Sequence, residues 1–246
     1  MQVNVQISFG NIIAVARHVD LIVNAANPTL LGGGGVDGAI HRAAGPQLRK
    51  YLQQLLPDAA GARCQVGGAV WSPGFALPCS IIHTVGPIFP TGRPPSFAGE
   101  QVADSKAAPL LLAACVRRCL SIAVARDLQS IAFPAISCGF YGGQPAVLAS
   151  LAKKVLAERD WNLHEVRFVL YTEGEFNSFQ AGWDCCDPTP VPISTATLQE
   201  ILGCYCALEQ TDLPEIEGIK LALRLEELFR QCGRRIPLDE AWELTR

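Results

Sequence analysis

The sequence has little charge and almost no excess of either sign. Charged residues make up only 17% of its 246 residues, and the formal net charge is -3. Such a chain lacks the broad cationic field that would hold nucleic acid or an anionic membrane. We therefore expect no direct nucleic-acid binding and no membrane binding. Any bound phosphate must be held locally, by backbone N–H groups.

Long apolar runs and an export signal are also missing. The most apolar stretch, Leu110–Val116, ends at Arg117-Arg118, well short of the roughly 18 residues of a membrane span. The N-terminal segment Met1–Ile7 alternates apolar and polar residues and has neither the basic start nor the apolar block of a signal peptide. These absences predict a soluble protein that is not exported, located in the cytoplasm.

Cysteine, in contrast, is abundant, with ten residues spread over a chain too long to need disulfide staples. Reduced thiols in a cytosol are the simpler interpretation, and Cys115 and Cys119 in an apolar helical stretch are typical of small core hydrophobes. The pairs Cys185-Cys186 and Cys204-Tyr205-Cys206 are too tightly spaced for a tetrahedral zinc site. We expect neither a metal site nor a cofactor.

Short β-rich runs alternate with helical patterns over the first three quarters of the chain. The predicted strands are Val3–Ile7, Asp20–Ala25, Ala69–Trp71, Ser80–Val85, Ser130–Ile136 and Val166–Tyr171. The predicted helices are Val36–Leu56, Ser105–Ala125, Ala146–Arg159 and Phe176–Trp183. This alternation predicts an α/β fold with a largely parallel or mixed sheet covered by helices on both faces.

The composition changes after Trp183, which predicts a domain over residues 1–183 and an extension over 184–246. The proline-rich segment Asp187–Pro192 is typical of an extended linker. Beyond it, Thr197–Gln210 and Pro214–Cys232 have helical periodicity. The extension is predicted to be a helical appendage that either docks on the domain or contacts a partner.

The densest chemical signal follows the second predicted strand. That strand leads into two amides, Asn24 and Asn27, then into Gly32–Gly35, and then into a helix with Asp37 in its first turn. Glycines allow close backbone approach to a ligand, and a helix N-terminus offers unpaired N–H donors for phosphate. The alternative is a flexible turn with Asp37 as an ordinary first-turn acid.

A second loop of the same kind follows the strand that contains Phe133. It runs from Ser137 to Gly142 and again leads from a buried strand through glycines into a helix. Two phosphate-binding loops indicate a diphosphate, since ligands of open α/β sheets lie at the carboxyl ends of strands. Phe140 or Tyr141 either stacks on a sugar or base, or simply packs.

These segments resemble the macrodomain family, specifically its MacroD-type branch, over residues 1 to about 183. The similarity covers Val23–Gly45, Ser72–Pro78, Ile82–Pro87 and Ser137–Gly142, in the family's order. It implies a three-layer α/β/α sandwich with a mixed central sheet that binds ADP-ribose. It also implies hydrolysis of ADP-ribosyl esters on acidic side chains of mono-ADP-ribosylated proteins, and of O-acetyl-ADP-ribose.

The resemblance also implies roles for individual residues. Asn27 matches the asparagine that contacts the distal ribose, and Asp37 matches the catalytic acid. Asn24 is given a supporting role, and Ile12 approaches adenine through its backbone. The first diphosphate loop is Gly33, Gly34, Gly35 and Val36. The second is Ser137, Cys138, Gly139, Phe140, Tyr141 and Gly142.

Two departures from the family pattern carry expectations of their own. Asn11 stands where the family has the aspartate that binds the adenine amine, so its amide oxygen accepts without a carboxylate's charge. Gly143 stands where an aromatic is common, so one stacking surface near the distal ribose is predicted to be missing. His41 and His83 are interpreted as structural histidines, because neither has a serine or cysteine nucleophile in an evident triad.

The sequence leaves several functions open. The leading hypothesis is ester hydrolysis by water, with Asn27 orienting the ribose and Asp37 positioning or deprotonating the water. A ligand phosphate oxygen is expected to assist, because an exposed carboxylate of ordinary pKa is a weak base. The alternatives are a non-catalytic ADP-ribose reader and, less favoured, a phosphatase acting on ADP-ribose 1″-phosphate.

Overall fold

Six segments rich in β-branched and aromatic residues form one sheet in the computed structural model. The structure describes residues 3–185, 195–208, 221, 224, 225 and 228. The strands are β1 (Asn4–Phe9), β2 (Leu21–Ala25), β3 (Ala69–Ser72), β4 (Ser80–Thr84), β5 (Ser130–Phe133) and β6 (Glu165–Leu170). All six strands predicted from the sequence are therefore confirmed, with ends that move by up to three residues.

The sheet is mixed, with the order β1-β6-β5-β2-β4-β3. All neighbours are parallel except β3 and β4, which are antiparallel. Five strands therefore end at the same edge, and the loops after β2 and β5 are direct neighbours there. This places the two glycine-rich loops side by side, as the sequence predicts.

The helices cover both faces of the sheet. They are α1 (Ile12–Val15), α2 (Gly35–Ala44), α3 (Pro46–Gln53), α4 (Ala107–Ala125), α5 (Pro145–Leu156) and α6 (Glu173–Cys185), with a 3-10 turn at Ala16–His18. A further helix, α7 (Thr195–Leu208), comes later in the chain. The short α1 was not predicted, because four residues carry no periodicity that a sequence reveals.

One predicted helix is wrong as a single element. Val36–Leu56 is divided into α2 and α3 at Gly45, whose φ of 82° is outside the helical range. Proline at position 46 disfavours helical geometry in the residue before it and is itself well suited to the first turn of a new helix. The Gly45-Pro46 pair therefore ends one helix and begins the next.

The central strands are buried on both faces, as their continuous apolar sequences predict. In β2, Leu21 and Val23 face the core under α4, α5 and α6, whereas Ile22 faces the core under α1, α2 and α3. All three side chains are fully buried. The alternation gives two separate cores, one on each side of the sheet, and confirms the predicted three-layer architecture.

Aromatic side chains fill the larger of these cores. The rings of Phe133 and Phe168 stack with centroids 5.4 Å apart, and Phe179 and Trp183 of α6 extend the cluster. Burying each phenylalanine contributes roughly 1.5–3 kcal/mol. The cluster therefore fixes α6 against β5 and β6, and with it the end of the first domain.

Helix α4 is apolar enough to raise the question of a membrane span. It has 19 residues and a window of mean hydropathy 1.7, so by length and composition alone it would be long enough to cross a bilayer. The expectation that no run approaches this length is therefore wrong by that criterion. Its side chains at Leu112, Val116 and Leu120 are fully buried in the domain core, and Arg117 pairs with Glu158. These contacts are typical of the core helix of an α/β domain.

The chain divides into two units, Met1–Cys186 and Asp187–Arg246. In the second unit α7 confirms the predicted helix Thr197–Gln210 within two residues at each end. The predicted linker Asp187–Pro192 lies outside the described residues. Of the predicted helix Pro214–Cys232 only four positions are described, all helical, and the side chain of Arg224 there contacts Glu200 of α7.

We predict that a chain ending at Pro188 folds on its own. The two apolar cores of the sheet are built from residues before Cys186, so removal of the second unit should leave their packing intact. Circular dichroism should show retained strand and helix content, with a single cooperative melting transition. Aggregation, or a transition without cooperativity, would show that the second unit is an integral part of the first.

Candidate active site

Three polar side chains meet where β2 ends and α2 begins. Asn24 lies in β2 and is fully buried, Asn27 follows two residues after the strand, and Asp37 lies in the first turn of α2. Asn27 is 5% exposed and Asp37 is 4% exposed. The sequence predicts all three as site residues, and the structure brings them together.

The two asparagines hold the carboxylate of Asp37 from both sides. Nδ2 of Asn24 donates to Oδ1 of Asp37 at 2.7 Å, and Nδ2 of Asn27 donates to Oδ2 at 3.3 Å. Each carboxylate oxygen thus receives an amide donor, which fixes the rotation of the group. This arrangement argues against the alternative that Asp37 is an ordinary first-turn acid exposed to solvent.

Burial changes the acidity of Asp37. It raises the pKa of the carboxyl from 3.8 to about 6, while the hydrogen bond from Asn24 acts in the opposite direction. The expectation of an exposed carboxylate with an ordinary pKa is therefore wrong. A carboxylate with a pKa near 6 is a better base at neutral pH than a solvated one, and still largely ionised there.

Asn24 is itself held by a chain of buried groups on β4 and β3. Its Nδ2 lies 3.0 Å from Nδ1 of His83, and Nε2 of His83 lies 2.9 Å from the hydroxyl of Ser72. That hydroxyl donates to the carbonyl of Pro73 at 3.1 Å. Every donor in this chain has an acceptor if Nδ1 of His83 accepts from Asn24 and Nε2 of His83 donates to Ser72. This assignment corresponds to the neutral imidazole with its proton on Nε2.

Burial keeps His83 neutral. It lowers the pKa of the imidazole to about 3, and the neighbouring His41 acts in the same direction. Because both amide hydrogens of Asn24 are then used, one on His83 and one on Asp37, the amide can adopt only this orientation. His83 therefore has a structural role, in which it positions Asp37 through Asn24.

His41 also lies beside Asp37. Its Nε2 lies 3.4 Å from Oδ1 of Asp37, one helical turn away, but makes no hydrogen bond with it. Burial, and then the charge of Arg49, lower the pKa of His41. Two features of the sequence indicate that histidines lie near Asp37: the i, i+4 spacing of Asp37 and His41, and the motif that contains His83. The register that places Asn24 of β2 beside His83 of β4 cannot be read from the sequence.

Asn27 also shapes the first glycine-rich loop. Its Oδ1 accepts from the backbone N–H of Thr29 at 3.0 Å, and its Nδ2 donates to the carbonyl of Gly32 at 3.0 Å. The same side chain therefore closes the turn after β2 and contacts Asp37. This double use explains why an asparagine, with both a donor and an acceptor, is needed at this position.

The glycines of the first loop divide into those that face open space and those that do not. A Cβ at Gly34 or Gly35 would meet no atom within 4 Å, and Gly35 has a φ of 56°. No side chain caps α2, whose N-cap residue is Gly34. The first N–H groups of α2, including that of Val36, are thus available to an anion, as predicted.

Gly33 is different because it lies against the reactive groups. A Cβ there would be 3.0 Å from Oδ2 of Asp37 and 3.1 Å from Nδ2 of Asn27. Contacts of that length are tighter than nearly all real Cβ contacts. Glycine at this position lets the loop lie directly over the carboxylate.

The second loop also has the predicted position, after β5. Ser137 is nearly buried, has a φ of 63°, and its hydroxyl has no hydrogen-bond partner among the described residues. Burial raises the pKa of the Cys138 thiol to about 12, which argues against a nucleophilic role. A Cβ at Gly139 would meet nothing, and Phe140 is 75% exposed. Tyr141 is instead bonded to Glu100 through its hydroxyl.

The predicted adenine end has one unexpected contact. Oδ1 of Asn11 accepts from the backbone N–H of Ile13 at 2.9 Å and so caps α1, and Ile12 is 5% exposed. The amide oxygen predicted to bind a base amine is thus already used by the helix. The exposed rings of Phe9 and Tyr171, which no sequence motif indicates, lie at the carboxyl ends of the adjacent strands β1 and β6.

A groove of about 490 Å³ elsewhere on the domain is less suited to chemistry. It is lined by Cys64, Gln65, Arg118 and small or apolar residues. Burial raises the pKa of the Cys64 thiol to about 12, so no reactive group lies there. Among the described residues no group of three or more His, Cys, Asp or Glu is placed to hold a metal ion. Free thiols are present at Cys64, Cys79, Cys115, Cys119, Cys138, Cys185 and Cys204.

Known proteins share this arrangement of strands and loops. The Macro domain family matches residues 23–152. A protein of Cronobacter sakazakii named O-acetyl-ADP-ribose deacetylase is 41% identical over 166 residues, which cover 66% of this chain and 84% of that protein.

Two solved structures are also similar. A macrodomain of Oceanobacillus iheyensis with ADP has a TM-score of 0.64 and 36% identity, covering 75% of this chain and 92% of that one. A macrodomain of Trypanosoma brucei in complex with ADP-ribose has a TM-score of 0.57 and 32% identity, covering 72% of this chain and 68% of that one. The family match covers more than half of the chain, and we conclude that the chain belongs to the Macro domain family.

Proposed function

We propose that this protein is a MacroD-type hydrolase of ADP-ribosyl esters. Its substrates are O-acetyl-ADP-ribose, ester-linked ADP-ribose on acidic side chains of mono-ADP-ribosylated proteins, or both. Water is the nucleophile and no metal ion is required. The observation that carries the proposal is the buried carboxylate of Asp37, with a pKa of about 6, held between two amides beside an uncapped helix N-terminus.

The proposed ligand is ADP-ribose or its ester. The structure of the O. iheyensis macrodomain is of the protein with ADP, and that of the T. brucei macrodomain is of a complex with ADP-ribose. In this chain the two neighbouring loops offer backbone N–H groups to a diphosphate, so its charge can be neutralised by the backbone alone. Asn27 then lies one loop away from the phosphates, where it can orient the hydroxyls of the distal ribose.

The proposed reaction is attack of water on the acyl carbon of the ester. The water oxygen forms a bond to that carbon, and the bond between the carbon and the ribose oxygen breaks. Asp37 accepts the proton of the attacking water and returns it to the ribose oxygen as that oxygen leaves. General-base catalysis of this kind typically contributes 10²–10⁴-fold in rate, and a pKa near 6 suits it at neutral pH.

The cost of burying Asp37 supports an enzyme rather than a reader. A pKa raised from 3.8 to about 6 corresponds to about 3 kcal/mol of lost stability at neutral pH. An anion beside a diphosphate also opposes ground-state affinity through Coulomb repulsion. A module that only binds ADP-ribose gains nothing from either cost. The name of the C. sakazakii relative points in the same direction.

We also propose the cytoplasm as the location. Seven cysteines between Cys64 and Cys204 are free thiols, and five of these seven are buried. Reduced thiols of this kind are typical of a reducing compartment.

Asp37→Ala should separate catalysis from binding. We expect turnover of O-acetyl-ADP-ribose to fall by roughly 10²–10⁴-fold, because the base is lost. ADP-ribose affinity should stay within about tenfold of the parent or improve. Single-turnover kinetics and calorimetry test this, with Asp184→Ala as a control that removes an exposed carboxylate. Asn27→Ala should lower both rate and affinity. Unchanged turnover in Asp37→Ala would favour the reader.

The rate should follow the ionisation of Asp37. We expect kcat/KM for O-acetyl-ADP-ribose to rise with pH through about 6, since only the ionised carboxylate accepts a proton. Asn24→Leu removes the hydrogen bond that lowers this pKa, so the midpoint should move to higher pH. Asn4→Leu, at an exposed position of β1, is the matched control. A midpoint near 4 in the parent would contradict the raised pKa of Asp37.

The unfolding free energy should also depend on pH through the ionisation of Asp37. Because the folded pKa of Asp37 is above 3.8, the folded state binds a proton more tightly than the unfolded state between about pH 4 and 6. Stability from this group is present at low pH and is lost as pH rises through 6. Relative to Asp37→Ala, the parent should lose roughly 2 kcal/mol of unfolding free energy between pH 4 and 7, because part of the total of about 3 kcal/mol is already lost at pH 4. A pH-independent difference, measured by urea denaturation, would contradict the raised pKa.

A further inference from the structure

The segment Phe89–Glu100, here called the arch, follows β4 and is bonded to the second glycine-rich loop. The backbone N–H of Phe89 donates to the carbonyl of Tyr141 at 2.8 Å, and that of Arg93 donates to the carbonyl of Phe140 at 2.8 Å. The Thr91 hydroxyl donates to the carbonyl of Gly142 at 3.1 Å. One end of the arch is therefore attached to the predicted diphosphate loop.

Glycine makes this attachment possible. A Cβ at Gly92 would lie 2.5 Å from the carbonyl oxygen of Tyr141, and a Cβ at Gly142 would collide with the backbone of Gly92. At Gly143 a Cβ would be 3.0 Å from the ring of Phe89. The glycine that departs from the family pattern thus occupies the place where the arch packs against the loop.

A buried carboxylate stabilises the arch from within. Glu100 is 8% exposed and accepts from a guanidinium N–H of Arg93 at 2.7 Å, from the N–H of Ser96 at 2.7 Å, and from the Tyr141 hydroxyl. Burial raises the pKa of the Glu100 carboxyl. These hydrogen bonds, together with one from the backbone N–H of Phe97, act in the opposite direction and hold that pKa below its ordinary value. Arg93 also lies over the rings of Phe97 and Tyr141. With this many partners the arch is a fixed element.

The other end of the arch reaches the first loop and its reactive groups. A Cβ at Gly99 would meet Cβ of Pro28 at 3.3 Å. The ring of Phe97 lies 3.8 Å from the point that a Cβ of Gly33 would occupy, and Asp37 and Asn27 lie 3.0 and 3.1 Å from that same point. Phe97 therefore places an apolar ring at Gly33, the glycine that lies against the carboxylate, although the missing aromatic at Gly143 predicts that such a wall is absent.

We propose that the arch is a specificity element that favours the small ester of O-acetyl-ADP-ribose over ADP-ribose attached to a polypeptide. The inference rests on the proposed function and concerns the same site. An acetyl group is small enough to lie against the Phe97 ring, whereas a polypeptide attached at the distal ribose must pass the same ring to reach solvent. Because the hydrogen bonds to Glu100 hold the Phe97 ring in place, we do not expect the arch to move aside for the larger substrate.

The test compares two substrates and two binding ligands. The substrates are O-acetyl-ADP-ribose and a peptide esterified with ADP-ribose on glutamate. The ligands are ADP-ribose and a peptide carrying ADP-ribose through a hydrolysis-resistant linkage. We expect the parent to favour the small member of each pair by at least about tenfold, within the range that apolar pockets achieve. Phe97→Ala should reduce both ratios to about threefold or less, by improving kcat/KM and affinity for the peptide.

Three variants of the full chain serve as controls. Phe97→Leu retains apolar bulk and should retain most of the preference. Glu100→Gln weakens the hydrogen bonds that hold the arch and should shift both ratios in the same direction as Phe97→Ala. Leu110→Ala, which removes an exposed side chain of α4, should leave both ratios unchanged.

The outcomes separate the arch from the proposed function. Equal binding of the two ligands by the parent, or ratios that do not change in Phe97→Ala, would overturn the role of the arch. If the parent hydrolyses neither substrate but still prefers free ADP-ribose, and Phe97→Ala removes that preference, the proposed hydrolase is refuted while the arch is supported.

Discussion

The hydrogen bond from Asn24 to Asp37 is the interaction on which the candidate site depends. A carboxylate that is 4% exposed must be paired, and its partners here are two amides from the end of β2. Asn24 can serve only because His83 and Ser72 fix the orientation of its amide from behind. Residues of β3, β4, β2 and α2 are thus joined in one polar chain, and the loop between β2 and α2 has to close over it.

That closure explains why side chains are missing along the loop. The first turn of α2 comes so close to Gly33 that a Cβ at Gly38 would lie 2.5 Å from the Gly33 carbonyl oxygen. At Gly33 itself a Cβ would press on both Asp37 and Asn27. At Gly34 and Gly35 the space is open and faces outward. The inner glycines therefore serve the packing of the carboxylate, and the outer ones leave room for a ligand.

Much of this could be predicted from the sequence, because the relevant signals are local. Apolar runs identified all six strands, and the order of strand, glycines and helix identified both loops together with Asn24, Asn27 and Asp37. What remained hidden depends on tertiary contacts. The role of His83 requires the register that places it beside Asn24 across two strands. The raised pKa of Asp37 requires knowledge of its burial, and the contact of Phe97 with the first loop requires the path of a long irregular segment.

Gly143 shows why a departure from a family motif is weak ground for inferring lost function. Taken alone, the missing aromatic predicts an open surface near the distal ribose. In the folded chain the same glycine leaves space for the ring of Phe89, which lets the arch pack on the second loop and bring Phe97 to Gly33. The position of the Phe97 ring depends on the contacts within the arch, above all the hydrogen bonds to the buried Glu100. Its position can therefore change with the sequence of the arch without any change in the residues that hold Asp37.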